Sequence, residues 1–213
     1  VTSDLVANTD AAIHVAHAFT VHALETELDY FTVVDDLKGR EQGDDAGAAG
    51  VFDAELTSGL YYGYVVIDVP LLVSNIEGVK RTEWKSVDRS IAGEVVRRLV
   101  HLIATVSPGA KKGSTAPYSW AEAMLAEAGS RQPRTLANAF RCAVPLDGNE
   151  KERAIDGMIG HLKSLDANYG THEARRAMLS GSNSAVLEGS SADRASLPEI
   201  ADWAKSVIIA GSA

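Results

Sequence analysis

Between residues 88 and 106 apolar side chains recur at helical spacing. Ile91, Val95, Leu99, Leu102, Ile103 and Val106 fall on one stripe, with Glu94, Arg97, Arg98 and His101 elsewhere. That pattern predicts an amphipathic helix, capped by Asp88 and ended by Pro108 and Gly109. Residues 10–24 are patterned differently. Ile13, Ala16, Ala18 and Val21 leave the segment apolar nearly all round, and Asp10 stands as a possible N-cap, which predicts a buried helix. Residues 28–34 are rich in aromatic and β-branched side chains and read as a short strand, as do residues 51–56 and 60–69, the last ending at Pro70. The run 38–50 between the first two supplies Gly and acids without periodicity. Together these segments predict a strand-loop-strand arm.

Further along, residues 118–128 are open to two readings. AEAMLAEA has helical propensity, while its short length between loops suits a strand. Helices are expected at 134–143 and 150–169, the second stopped by Gly170. Ser196 and Glu199 have capping-box spacing for a helix over 201–209. Residues 180–195 are rich in Ser and Gly and read as a flexible surface loop. The expected fold class is α+β.

Composition narrows the picture. The chain has 213 residues, 46% of them hydrophobic, enough for one sizeable core or two small ones. No run approaches the roughly 20 apolar residues needed to span a bilayer, and VTSDLVANTD lacks the basic and apolar regions of a signal peptide. Cys142 is the single cysteine, so no internal disulfide framework exists, and a cytoplasmic location is expected. The chain starts at Val1 without an initiator Met, which leads us to expect a fragment or processed product.

The net charge of -9 argues against a generic nucleic-acid binder, but it is unevenly spread. Residues 1–56 hold twelve acids against Lys38 and Arg40, whereas residues 80–112 hold eight bases against three acids. The middle of the chain is therefore the part able to face phosphates.

Candidate chemistry divides accordingly. His14, His17 and His22 invite a metal-site reading, yet on a helix His22 lies about 140° from His17, and no Glu stands beside the first histidine as the helical zinc pattern requires. Asp35 and Asp36 offer paired carboxylates, but neighbours on a strand point to opposite faces, and a solvated acidic face is the simpler reading. A metal-dependent hydrolase using His14, His17, Asp35 and Asp36 stays open as the alternative function. The stretch SPGAKKGSTAPYSW places Lys111 and Lys112 between glycines with Ser114 and Thr115 nearby. It lacks the order of a nucleotide P-loop, but it suits phosphate-backbone contact as well as it suits an ordinary basic loop. Tyr61, Tyr62 and Tyr64 read first as cross-strand packing and second as stacking platforms. Cys142, without a flanking Cys or His, reads as a small buried thiol.

Five stretches then occur in order: VTSDLV, DAAIHVAHAFTVHALETELDYFTVVDDL, LTSGLYYGYVVIDVPLLVSNIEG, VVRRLVHLIATVSPGAKKGSTAPYSW and LANAF. With them the chain resembles the CasC family, the backbone subunits of the type I-E CRISPR Cascade complex. The likeness covers residues 1–143 and becomes loose beyond Leu146. It implies an RRM-like (ferredoxin-like) palm, incomplete here, with a thumb insertion over about 26–57. Residues 1–143 would form the palm, and 144–213 a helical part packed on it. The implied function is a non-catalytic scaffold, polymerising along a CRISPR RNA whose bases pair with target DNA, as in guided recognition generally. The implied partners are that RNA, target DNA through the guide duplex, other Cascade subunits and further copies of the chain, with no cofactor, metal or membrane. Carried over by position, Thr32 matches the thumb residue that helps displace a nucleotide from the guide-target duplex. Lys111 and Lys112 match the basic loop near the guide RNA, and Ser58 is a weaker RNA-contact candidate at the turn it shares with Gly59 and Tyr62. The likeness also implies that the family's N-terminal portion is missing, including its first palm strand, several RNA-binding lysines and the Met expected just before Val1. A palm short of one strand would expose an apolar edge.

Overall fold

The computed structural model describes residues 9–33, 50–107, 118–181 and 184–212. The chain is an α+β structure, in which several small sheets and four α-helices enclose two apolar cores among the described residues.

The first expectation to fall is the helix over 10–24. Ile13–Val15 is strand β1 and Phe19–Thr20 strand β2. Their partners come from the segment expected as one strand over 60–69, which is broken into β5 (Tyr61–Tyr62) and β6 (Val65–Ile67). β1 pairs antiparallel with β6, Ile13 opposite Ile67, and β2 with β5, Phe19 opposite Tyr62. An apolar segment with β-branched Ile13, Val15 and Thr20 satisfies either conformation locally, and the available partner strand decides.

Between these pairs, β3 (Glu25–Val33) and β4 (Gly50–Ser58) form an antiparallel ribbon with Glu25 opposite Ser58 and Thr32 opposite Val51. The arm expected from sequence is this ribbon, and among the described residues it is hydrogen-bonded to no other strand. The acidic loop over 38–50, apart from Gly50, lies outside the described residues.

Pro70 opens a helix that the sequence reading did not anticipate. α1 (Val69–Glu77) is capped by Asp68, whose carboxylate accepts the Leu71 N–H at 3.0 Å, and it stops at Gly78, left-handed at φ 67°. Proline fits the first turn because its missing N–H has no intrahelical partner there. After a 3₁₀ turn at Arg81–Ser86 comes α2 (Ser90–Thr105), whose N-cap position is Arg89, without a side-chain cap, rather than the expected Asp88; Asp88, one residue earlier, accepts the N–H and the hydroxyl of Ser90.

The stripe that α2 buries is not the expected one. Ala92, Gly93, Val96, Val100 and Ala104 are buried, whereas Ile91 is 56% and Leu102 54% exposed, with Val95, Ile103 and Val106 also exposed. The cause is α4 (Leu197–Ala210), which packs closely against α2. A Cβ at Gly93 would stand 3.3 Å from the Lys205 carbonyl oxygen, so only small side chains fit this seam. α4 starts at the Ser196–Glu199 capping box expected from sequence.

β7 (Ala123–Ala128) settles the ambiguous segment as a strand, pairing antiparallel with β8 (Ala174–Leu179), which pairs in parallel with β9 (Ala192–Arg194). Helix formers such as Ala, Met, Leu and Glu adopt strand geometry because β8 supplies the hydrogen bonds. β9 lies within the stretch expected as a flexible loop, and β8 and β9 stand beside the helices expected in residues 144–213. The helix over 134–143 is replaced by a 3₁₀ turn at Ala137–Phe140. α3 (Glu150–Tyr169) runs as expected to Gly170, at φ 76°.

One core joins α1, α2 and α4 through Val73, Trp84, Val96 and Ile200. The second lies between α3 and the three-stranded sheet, centred on Ile159, Leu162 and Ala177.

Candidate nucleic-acid interface

The histidines separate. His14 and His17 are exposed, while His22 is 8% exposed and spends both ring nitrogens on the backbone. Its Nδ1 donates to the Ala23 carbonyl at 2.7 Å, and its Nε2 accepts the Leu60 N–H at 3.0 Å. With Nε2 an acceptor, the ring is the neutral Nδ1–H tautomer. His22 therefore locks the β2 end to the turn after β4. Among the described residues no group of three or more His, Cys, Asp or Glu is placed to hold a metal ion. Asp35 and Asp36 lie outside the described residues.

Gly59 sits on this histidine. A Cβ there would be 2.9 Å from Thr20 Cγ2 and 3.3 Å from the ring, so the turn between Ser58 and Leu60 requires glycine for close approach. Exposed Ser58 helps line a cavity of about 330 Å³ with His22, Glu25, Glu122, Glu150 and Lys151. Three carboxylates against one ammonium make that cavity a poor seat for phosphate.

Thr32 lies near the far end of β3, seven residues along the ribbon from its Glu25–Ser58 base. Thr32 and Ser58 thus stand at opposite ends of one element. Lys111 and Lys112 lie outside the described residues, but both ends of their loop are placed. The Ser107 hydroxyl donates to the Ser119 carbonyl at 3.0 Å, and the Ala121 N–H donates to the Ala104 carbonyl at 2.8 Å. The segment leaving the loop is therefore laid alongside the last turn of α2.

Two residues of that returning segment were not singled out from sequence. Tyr118 is 73% and Trp120 72% exposed. Their signal is two aromatics beside a basic, Gly- and Ser-rich loop, which composition alone does not separate from core residues. Tyr62, by contrast, packs as read: its ring lies 5.4 Å from those of Phe19 and Phe140, and its hydroxyl accepts the Leu136 N–H at 3.0 Å. Cys142 corrects an expectation, since its thiol is exposed on the bend after the 3₁₀ turn rather than buried.

Behind the sheet lies an ionic cluster. Arg175 is 1% exposed; it grips both oxygens of Asp166, Glu127 Oε1 at 2.7 Å and the Ser190 carbonyl at 2.8 Å. Arg134 lies 3.3–3.4 Å from Glu127, Asp166 and Glu173. The Arg175 hydrogen bonds hold the Asp166 carboxyl below its ordinary range against the opposing effect of burial. This cluster ties α3 to β7 and β8 and is structural.

A family model described as CT1975-like protein matches residues 1–203. A solved chain from a "CRISPR RNA-guided surveillance complex" superposes with a TM-score of 0.75 at 21% identity, over 93% of this chain and 71% of that one. A second, from a "CRISPR RNA-guided surveillance complex, pre-nicking", gives 0.78 at 23% identity, over 98% of this chain and 58% of that one. This chain therefore spans only part of the length of either. No curated protein matches it.

Proposed function

Because the chain belongs to the CT1975-like protein family, we propose that it acts as a backbone subunit of a Cascade-like, RNA-guided antiviral complex. One observation carries this reading: almost the whole chain shares its fold with subunits of RNA-guided surveillance complexes, at TM-scores of 0.75 and 0.78. In it the palm is RRM-like and the β3–β4 ribbon is the thumb that bears Thr32. The subunit is a non-catalytic, cytoplasmic scaffold of the type I-E kind. It polymerises along CRISPR RNA beside other Cascade subunits and meets target DNA through the guide duplex.

Physical features support the division of labour. A ribbon hydrogen-bonded to no other strand among the described residues needs a partner to be stable, since isolated two-stranded ribbons are marginal in water. The Lys111–Lys112 loop springs from the most basic part of the sequence, on a base pinned by Ser107 and Ala121. The hydrolase alternative, which would use His14, His17, Asp35 and Asp36, finds no support among the described residues, where no group of three or more His, Cys, Asp or Glu is placed to hold a metal ion.

The test is titration of the full-length protein with CRISPR RNA across a range of salt. Affinity should fall with salt, and replacing Lys111 and Lys112 with Ala should flatten the slope by about 0.7 per lost phosphate contact. Binding indifferent to salt and to both substitutions would overturn the reading.

A further inference from the structure

We propose that His22 is a positioning residue for nucleic-acid binding: its ring sets the direction in which the β3–β4 ribbon leaves the body of the protein, and so the place of Thr32 on a bound strand. The inference rests on the RNA-binding reading above and assigns a role to a residue that acts through the backbone of its neighbours.

Among the described residues the ribbon is hydrogen-bonded to no other strand, so its direction depends on its root. Three backbone segments meet there. The Val21 N–H donates to the Leu60 carbonyl at 2.9 Å, and the Val144 N–H donates to the Val21 carbonyl at 2.9 Å. The His22 ring joins the two sides of the ribbon, since Nδ1 donates to the Ala23 carbonyl just before β3 and Nε2 accepts the Leu60 N–H just after β4. At 8% exposure the ring is enclosed, and Gly59 brings the turn so near that a Cβ would stand 3.3 Å from Cε1 and Nε2. Neutral imidazole can donate on one edge and accept on the other through a rigid plane, which restrains twist as well as separation.

Leverage gives this small contact its reach. The Val33–Gly50 pair at the far end lies eight residues from the Glu25–Ser58 base, about 26 Å at about 3.3 Å per residue. A tilt of about 10° at the root would carry that end through about 4–5 Å. Hydrogen bonds lose their geometry over a much smaller displacement. A ribbon released at its root would therefore present Thr32 correctly in only a fraction of molecules, and apparent affinity falls in proportion to that fraction.

The experiment reads direction and binding separately in full-length protein. Exposed Cys142, the single cysteine of this chain, is first replaced by Ser. Spin labels are attached at Val33→Cys on β3 and at Asp156→Cys, exposed on α3, and their distance distribution is recorded by pulsed electron resonance. His22→Phe, which keeps the ring's bulk without its hydrogen bonds, is compared with His22→Gln, which keeps a donor and an acceptor, each below its melting temperature. The parent should give one narrow distance, His22→Phe a spread wider by about 5 Å, and His22→Gln most of the parent's order. Should His22→Phe fail to fold, His22→Ala carries the same expectation. CRISPR RNA should bind His22→Phe about tenfold more weakly at the parent's salt slope, as expected when about one molecule in ten is competent. A broad distance in the parent, an unchanged one in His22→Phe, or equal broadening in the Phe and Gln variants overturns the inference and leaves the RNA-binding reading standing. Broadening without loss of affinity does the same. If the parent shows no salt-dependent binding, both fall.

Discussion

Leu60 donates its backbone N–H to Nε2 of His22 at 3.0 Å, so a histidine on one side of the β3–β4 ribbon orients the turn on the other. The two residues are 38 apart in sequence and bracket the whole ribbon, whose root they close. A protonated ring would present a donor to this donor, and a ring ligating a metal through Nε2 would leave the Leu60 amide unpaired. The bond thus explains why His22 is buried while His14 and His17 are not.

Replacing His22 with Ala should lower stability by about 1–3 kcal/mol, the cost of a buried N–H without a partner. The same change at exposed His14 or His17 should stay within about 0.5 kcal/mol. Urea unfolding of the three variants checks the contrast, and equal effects would refute the structural role of His22.

Gly59 should be intolerant of any side chain. With Thr20 Cγ2 2.9 Å and the His22 ring 3.3 Å from where its Cβ would stand, Gly59→Ala should cost about 1–3 kcal/mol through overpacking. Gly63, where an added Cβ meets nothing within 4 Å, is the control. Comparing the melting temperatures of the two alanine variants measures the difference.

Removing Arg175 should be among the most damaging single changes. Arg175→Met leaves Asp166 and Glu127 without their closest cation, a loss of about 3–5 kcal/mol for a broken buried pair. Asp166 also gives the effect a pH dependence. Its folded pKa is depressed, so its contribution is complete above the unfolded carboxyl value near 3.9 and is lost as pH falls through the folded value. The gap between parent and variant should therefore be widest at neutral pH and narrow below about pH 4. Urea midpoints at pH 7 and in the acid range test this, and a gap constant with pH would refute it.

The two faces of α2 should respond in opposite ways to substitution. Val96→Ala or Val100→Ala, on the side against α1 and α4, should each cost roughly 1–3 kcal/mol. Ile91→Gln and Leu102→Gln, on the longer apolar stripe, should change the stability of the isolated chain by less than about 0.5 kcal/mol. Thermal unfolding distinguishes the faces.

Elements with strong local signals were legible in the chain. α2, α3 ending at Gly170, the Ser196–Glu199 capping box and both strands of the ribbon follow from periodicity, strand propensity and cap chemistry. The site was legible only in outline. Its charged loop stood out by composition, but the exposed rings of Tyr118 and Trp120 did not, because nothing local tells an exposed aromatic from a buried one.

By itself the sequence determined where helices are capped and broken, where charge accumulates and that the chain must fold around an apolar core, because these depend on neighbours within a few residues. Tertiary structure alone decided that Ile13–Val15 is a strand, since Val65–Ile67 supplies its hydrogen bonds from some fifty residues away. It decided that Ala123–Ala128, made of helix formers, extends along β8. It also turned the smaller stripe of α2 inward, because two helices in close approach admit Gly93 and Ala92 where they exclude Ile91. In each case the local free-energy difference is small, and contacts between distant segments outweigh it.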